Sequence, residues 1–133
     1  MLPVPMEEAL MKIAVSATGT DLKAQVEPRF GRCRYFIVIN LDTMEYESVA
    51  NSAAMAKGGA GISAAQMIVD KGVQVVLTGN CGPNAFEVLD GAKIEIMTGV
   101  TGTVQDAVED YKAGKYQASS RPNVSPHSGT VRG

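Results

Sequence analysis

The chain has 133 residues, of which 45% are hydrophobic and 20% are charged, and its formal net charge at pH 7 is −2. This length and composition predict one globular domain with a single hydrophobic core. The weak negative charge gives no overall attraction to nucleic acid or anionic membranes, and no apolar run is long enough to span a bilayer, so we expect a cytoplasmic protein with neither as a partner.

Three segments follow one another along the chain. Residues 1–10 contain prolines and glutamates but lack the basic and apolar regions of a signal peptide, which indicates a loose leader. Residues 11–115 carry the periodic patterns of a folded domain. Residues 116–133 are rich in Ser, Pro and Gly, which predicts a flexible tail.

The domain begins with three predicted strands and continues with alternating helices and strands. Short apolar or alternating runs predict strands, and a stripe of apolar residues at helical spacing predicts helices. The predicted strands are 12–17, 35–41, 44–50, 73–78 and 93–97, and the predicted helices are 62–72, 83–91 and 103–114. Pro83 suits the first turn of its helix, and Thr103 with Asp106 resembles a capping box.

This order predicts an α/β fold with a five-stranded mixed sheet. Strands joined through single helices lie parallel, so 12–17, 73–78, 93–97 and also 44–50 should share one direction. The second strand, 35–41, should run antiparallel to them. Ligands of open α/β sheets bind beyond the carboxyl ends of the parallel strands, where loops 18–34, 57–61 and 99–102 should meet.

Both cysteines fall in loops that reach this edge. Cys81 lies between a strand and a helix start, where backbone amides would stabilise a thiolate and lower its pKa below about 8.5. Cys33 has arginine neighbours that would raise its reactivity. These placements suit a metal ligand or a nucleophile, and the alternative for each cysteine is a small residue packed in the core.

Cationic and glycine-rich segments accompany the cysteines. Arg29, Arg32 and Arg34 would suit an anionic ligand, unless they form only a solvated loop face. Glycines in "KGGAGIS" and around Cys81 could cradle an anion on backbone amides, or simply form tight turns. The residues expected in this pocket are Gly58, Gly59, Asn80 and Gly82.

Catalytic signatures are weak in this sequence. No Ser-His-Asp arrangement and no paired carboxylates for two metal ions can be placed, so no enzymatic activity is expected. The single histidine, His127, lies in the tail. It is a candidate metal ligand if the tail folds back, and otherwise a solvent-exposed residue.

Four blocks of the sequence resemble the dinitrogenase iron-molybdenum cofactor biosynthesis family, which includes nitrogenase accessory carriers and small stand-alone proteins. They are "MKIAVSATGTDLKAQVEPRFGRCRYFIVI", "NSAAMAKGGAGISAAQ", "VVLTGNCGPNAFEVL" and "GTVQDAV". The resemblance covers about residues 11–115 and implies a three-layer α/β/α, ribonuclease H-like fold. Members commonly have His before "FGR", where this chain has Arg29.

The resemblance implies a non-enzymatic protein that binds or carries an iron-sulfur or iron-molybdenum type cluster, or a cofactor precursor, which it could hold transiently as cargo. Cys33 and Cys81 are the ligands that it suggests, but two thiolates are fewer than the usual four. A homodimer, His127 or exogenous ligands would complete the set, and cluster-assembly proteins are the expected partners of a monomer or homodimer. The alternative function is a small regulatory module that binds a phosphate-bearing ligand at the glycine-rich loops.

Overall fold

The computed structural model describes residues 11–53 and 59–119. The predicted leader, Gly58, and the tail from residue 120 with His127 lie outside these residues. The described elements occur in the predicted order of strands and helices. They are β1 (Lys12–Ala17), β2 (Tyr35–Asn40), β3 (Tyr46–Ala50), α1 (Ala60–Asp70), β4 (Val75–Leu77), α2 (Pro83–Gly91), β5 (Glu95–Met97) and α3 (Val104–Lys112).

The five strands form one mixed sheet in the order β3-β2-β1-β4-β5. β1, β4 and β5 are parallel to one another, and β2 is antiparallel to both β1 and β3. Tyr35 at the start of β2 lies opposite the last residues of β1 and β3, which are Ala17 and Ala50. The carboxyl ends of β1, β3, β4 and β5 therefore lie at one edge of the sheet.

The pleat of the strands divides the buried residues into two clusters. On β1, Ala14 belongs to the cluster that contains residues of α1 and α2, whereas Ile13 and Val15 belong to the cluster that contains residues of α3. The same alternation occurs on β4, where Val76 joins the first cluster and Leu77 the second. Side chains alternate across a strand, so the two clusters lie on opposite faces of the sheet.

Several element ends differ from those predicted, and backbone conformation explains the differences at β3 and α1. Met44 has φ 65°, which a strand cannot contain, so β3 begins two residues later at Tyr46. Gly59, with φ 69°, precedes α1, which begins at Ala60 rather than at residue 62. α1 then ends at Asp70, just before Gly72 with φ 73°.

The segment after α3 remains in contact with the domain as far as it is described. Tyr116 packs against the cluster that contains α3. The backbone N–H of Ser119 donates to the Ile96 carbonyl oxygen at 2.7 Å, and the hydroxyl groups of Ser119 and Thr98 are 2.9 Å apart. None of the helices within the described ranges is long and apolar enough to cross a membrane.

Candidate anion-binding cleft

A cleft of about 360 Å³ lies at the loop-bearing edge of the sheet. Three segments form its walls: the loop between β1 and β2, the start of α1 and the start of α2. Its lining residues are Arg29, Phe30, Gly31, Arg32, Gly59, Ala60, Gly61, Asn80, Gly82, Pro83, Asn84 and Ala85. The cleft therefore lies at the predicted edge, beyond the carboxyl ends of the parallel strands, but loop 99–102, which was expected there, does not line it.

Glycines allow these walls to approach one another. A Cβ at position 31 would lie 2.9 Å from the Gly61 Cα, so the arginine-bearing loop touches the first turn of α1 at backbone distance. A Cβ at position 79 would lie 2.7 Å from the Pro28 Cα. These two contacts fix the loop against both α1 and the end of β4.

Backbone hydrogen bonds add to this attachment. The N–H of Asn80 donates to the Pro28 carbonyl oxygen at 2.6 Å, and the N–H of Phe30 donates to the Asn80 carbonyl oxygen at 3.2 Å. Arg29 and Asn80 thus form an isolated parallel β-bridge. This bridge holds the arginine-bearing loop, which connects β1 and β2, beside the residue that precedes Cys81.

The helix starts differ in a way that bears on ligand binding. At α3, Thr103 and Asp106 form the predicted capping box, so side chains satisfy the first amides of this helix. At α1 and α2 the N-cap residues are Gly59 and Gly82, and neither start has a side-chain cap hydrogen bond or an acidic residue in its first turn within the described residues. The two helices that begin at the cleft therefore direct positive dipole ends towards it, and their own first turns contain no carboxylate.

Two of the three predicted arginines line the cleft. Arg29 and Arg32 belong to its wall, whereas Arg34 is exposed in the same loop but is not among the lining residues. Arg29 is 3.8 Å from a Glu27 carboxylate oxygen, and its side chain is 68% exposed, so this ion pair is weak. Guanidinium groups at two uncapped helix starts favour an anionic ligand.

Both cysteines are completely buried in the cluster beneath the cleft, together with Phe30. Desolvation raises the pKa of each thiol from the ordinary value of 9.0 to about 12. The predicted lowering of the Cys81 pKa is therefore wrong, because the thiol points into the apolar core and burial outweighs any helix-dipole effect. Nothing in this arrangement tests their predicted role as cluster ligands, and anion binding by the residues that line the cleft does not require it.

The structure brings together five of the residues expected in the pocket, and these line one cleft: Arg29, Arg32, Gly59, Asn80 and Gly82. Sequence reasoning missed Gly31, Gly61 and Ala85, whose small size allows the walls to meet, and also buried Asn51 behind the loop. The small residues in "FGRCR" and "GGAGIS" are the sequence feature that could have indicated this close approach. Asn51 gave none, because a single Asn after a strand is usual in a turn.

The donor groups of the cleft indicate what kind of ligand could fit. Within the described ranges no group of three or more His, Cys, Asp or Glu side chains could hold a metal ion. The cleft instead offers helix-terminal amides and guanidinium groups, which bind anions. A preassembled, negatively charged cluster that carries its own sulfide ligands fits these groups, whereas a bare cation does not.

Comparisons with known proteins agree with this fold. The apo form of the orange protein from Desulfovibrio gigas superposes with a TM-score of 0.83 at 39% identity, over 86% of this chain and 97% of that one. The Thermotoga protein TM1290 gives a TM-score of 0.72 at 34% identity, over 81% and 92% of the two chains. A Methanocaldococcus jannaschii protein, MJ0580, is 28% identical over 111 residues, which are 81% of this chain and 91% of that protein.

The family comparison covers nearly all of the described domain. The sequence model of the family described as "Dinitrogenase iron-molybdenum cofactor" matches residues 11–114. This range contains every strand and helix of the fold and all residues that line the cleft. The chain therefore belongs to the dinitrogenase iron-molybdenum cofactor family.

Proposed function

We propose that this protein is a non-enzymatic carrier of an anionic iron-sulfur type cluster or cofactor precursor in cluster biosynthesis, and that the cargo sits in the cleft. One observation carries the proposal: two helix starts without side-chain caps and the guanidinium groups of Arg29 and Arg32 line the same cleft. Membership of a family concerned with the iron-molybdenum cofactor supports an anionic metal cluster as the cargo.

The proposed binding mode explains how a carrier can release its cargo. Amides and guanidinium groups would hold the cluster by charge and hydrogen bonds, without metal-thiolate bonds that must be exchanged. Cluster-assembly proteins are the partners that such release requires. We also propose that the domain has the three-layer α/β/α, ribonuclease H-like arrangement, which the two opposite core clusters support.

Anaerobic reconstitution with ferrous iron and sulfide tests this function. After desalting, the parent protein should retain iron and sulfide and show charge-transfer absorption. The double variant Arg29→Gln, Arg32→Gln should retain about tenfold less, because it removes two charged hydrogen-bond partners of the cargo. Arg34→Gln is the control, since it removes one positive charge from the same loop outside the cleft lining. Failure of the parent to retain iron, or an equal loss in Arg34→Gln, would contradict the proposal.

A regulatory module that binds a phosphate-bearing ligand is the second candidate. The same amides and guanidinium groups suit phosphate oxygens, and Gly59 and Gly82 give the ligand close access to the backbone. Titration of the parent with inorganic pyrophosphate separates the two functions. Tight pyrophosphate binding together with no retention of iron would favour the regulatory module, and the reverse result would favour the carrier.

A further inference from the structure

We propose that Asn51 and Cys33 are positioning residues of the cleft, which hold carbonyl oxygens of the arginine-bearing loop away from the bound anion. This inference rests on the proposed function and deepens it. The arginine-bearing loop has carbonyl acceptors as well as N–H donors. It can therefore favour anions only if its carbonyl oxygens are turned away from the cleft.

Asn51 is a buried polar residue that follows the end of β3, and it is not among the residues that line the cleft. Its Nδ2 group donates to the Cys33 carbonyl oxygen at 2.9 Å and to the Gly31 carbonyl oxygen at 3.2 Å. Its Oδ1 atom accepts from the N–H of Ala53 at 3.1 Å. Both ends of the carboxamide are thus engaged, which fixes its orientation.

Cys33 continues this network from the core. Its thiol donates to the Phe30 carbonyl oxygen at 3.3 Å. This thiol is completely buried among apolar side chains, surroundings that favour its neutral, hydrogen-donating form. The backbone N–H of Asn51 also donates to the Arg34 carbonyl oxygen at 2.9 Å.

Together, Cys33 and Asn51 determine which backbone groups of the arginine-bearing loop face the cleft. Phe30 and Gly31 line the cleft, but their carbonyl oxygens are bound by Cys33 and Asn51, which are buried and do not line it. The negative ends of these peptide dipoles therefore point into the protein. Without the two donors the loop peptides could rotate, and a carbonyl oxygen in the cleft would repel an anion and attract a cation.

Sulfate titration followed through the amide resonances of Gly61 and Asn84 tests this proposal. The parent should show saturable shifts of both resonances. Asn51→Ala should bind sulfate about tenfold more weakly, because two carbonyl oxygens lose their donor. Ile68→Val is the matched control: it removes one buried methylene from the same core cluster and no hydrogen-bond donor, so its sulfate affinity should equal that of the parent.

A pair of Cys33 variants provides the test if Asn51→Ala does not fold. Cys33→Ser keeps a donor for the Phe30 carbonyl oxygen and should bind sulfate like the parent, whereas Cys33→Ala should bind about threefold more weakly. Equal affinities of Cys33→Ser and Cys33→Ala, or parent-like binding by folded Asn51→Ala, would overturn the positioning role and leave the proposed function standing. Absence of any sulfate-dependent shift in the parent would instead remove the anion cleft and this inference together.

Discussion

Cys33 and Cys81 are held as neutral thiols, because burial in the core raises the pKa of each to about 12. The sequence places Cys81 before a helix start at the loop-bearing edge, and the structure has it there. Its exposure could not be predicted, because the direction of a side chain in a turn depends on backbone angles that strand and helix patterns do not specify. Desolvation in the core then reverses the expected pKa shift.

The raised thiol pKa values predict a loss of stability at alkaline pH. Below about pH 9 both folded and unfolded chains keep the thiol protons, so the free energy of unfolding is unaffected. Above about pH 9 the unfolded chain loses its thiol protons, whereas the folded chain keeps them until about pH 12. The free energy of unfolding should therefore fall, by about 1 kcal/mol per thiol at about pH 10.

Urea denaturation of the parent and of the double variant Cys33→Ser, Cys81→Ser between neutral pH and about pH 10 measures this effect. The variant lacks both thiols and should lose less stability across the same range. Tyr111 and Tyr116, whose pKa values are also raised by burial first of all, are present in both proteins and cancel in the comparison. Parallel pH curves for the two proteins would show that the thiols are not buried as described.

Among the structural elements, the loop after β1 depends on a close backbone contact with the end of β4. We expect Gly79→Ala to lower the free energy of unfolding by about 2 kcal/mol, because the added Cβ would lie 2.7 Å from the Pro28 Cα and 2.8 Å from its carbonyl oxygen. Gly91→Ala is the control at the end of α2, where nothing lies within 4 Å of an added Cβ. Thermal denaturation should show no loss for Gly91→Ala, and similar destabilisation by both changes would contradict the contact.

A negatively charged N-cap at the start of α2 should raise the stability of the protein and weaken its binding of an anionic ligand. Gly82 has extended backbone angles, φ −74° and ψ 172°, and free space around an added Cβ, so Gly82→Asp can supply an N-cap carboxylate. This variant should be more stable than the parent by about 0.5 kcal/mol, yet lose most retention of an anionic cargo, because its carboxylate occupies the anion position.

Gly82→Asn is the control for this prediction, since it caps the helix with a similar shape and no charge. It should retain more cargo than Gly82→Asp at comparable stability. Chemical denaturation measures the stability of each variant, and iron analysis after reconstitution measures the cargo that it retains. Undiminished iron in Gly82→Asp would mean that the start of α2 does not face the cargo.

For the molecule as a whole, the sequence patterns predict the order of the elements and the sheet edge at which the cleft lies. β1 and α2 even have the predicted bounds, since Thr18-Gly19 ends the first and Pro83 with Gly91 delimits the second. The shape of the cleft was not predictable in the same way. It depends on the contact between Gly31 and Gly61. These residues are distant in the sequence, and neither the strand pattern nor the helix pattern predicts that they touch.

The segment after α3 provides a test of how much of the chain the fold requires. Removal of residues from 119 onward should leave cooperative unfolding intact, because Tyr116 and both core clusters remain. Removal from residue 115 should destabilise the domain further, by about 1–3 kcal/mol, since it deletes the half-buried Tyr116. Circular dichroism during thermal unfolding measures the stability of both truncated proteins. A non-cooperative transition in the protein that lacks only residues 119–133 would contradict this prediction.

The location of iron in the reconstituted protein tests the central claim most directly. Anomalous diffraction from crystals grown after anaerobic reconstitution should place iron inside the cleft, between Arg32 and the first turns of α1 and α2, without a bond to either cysteine sulfur. Iron bonded to the Sγ atom of Cys33 or Cys81, or iron found away from the cleft, would contradict the claim that amides and guanidinium groups hold the cargo.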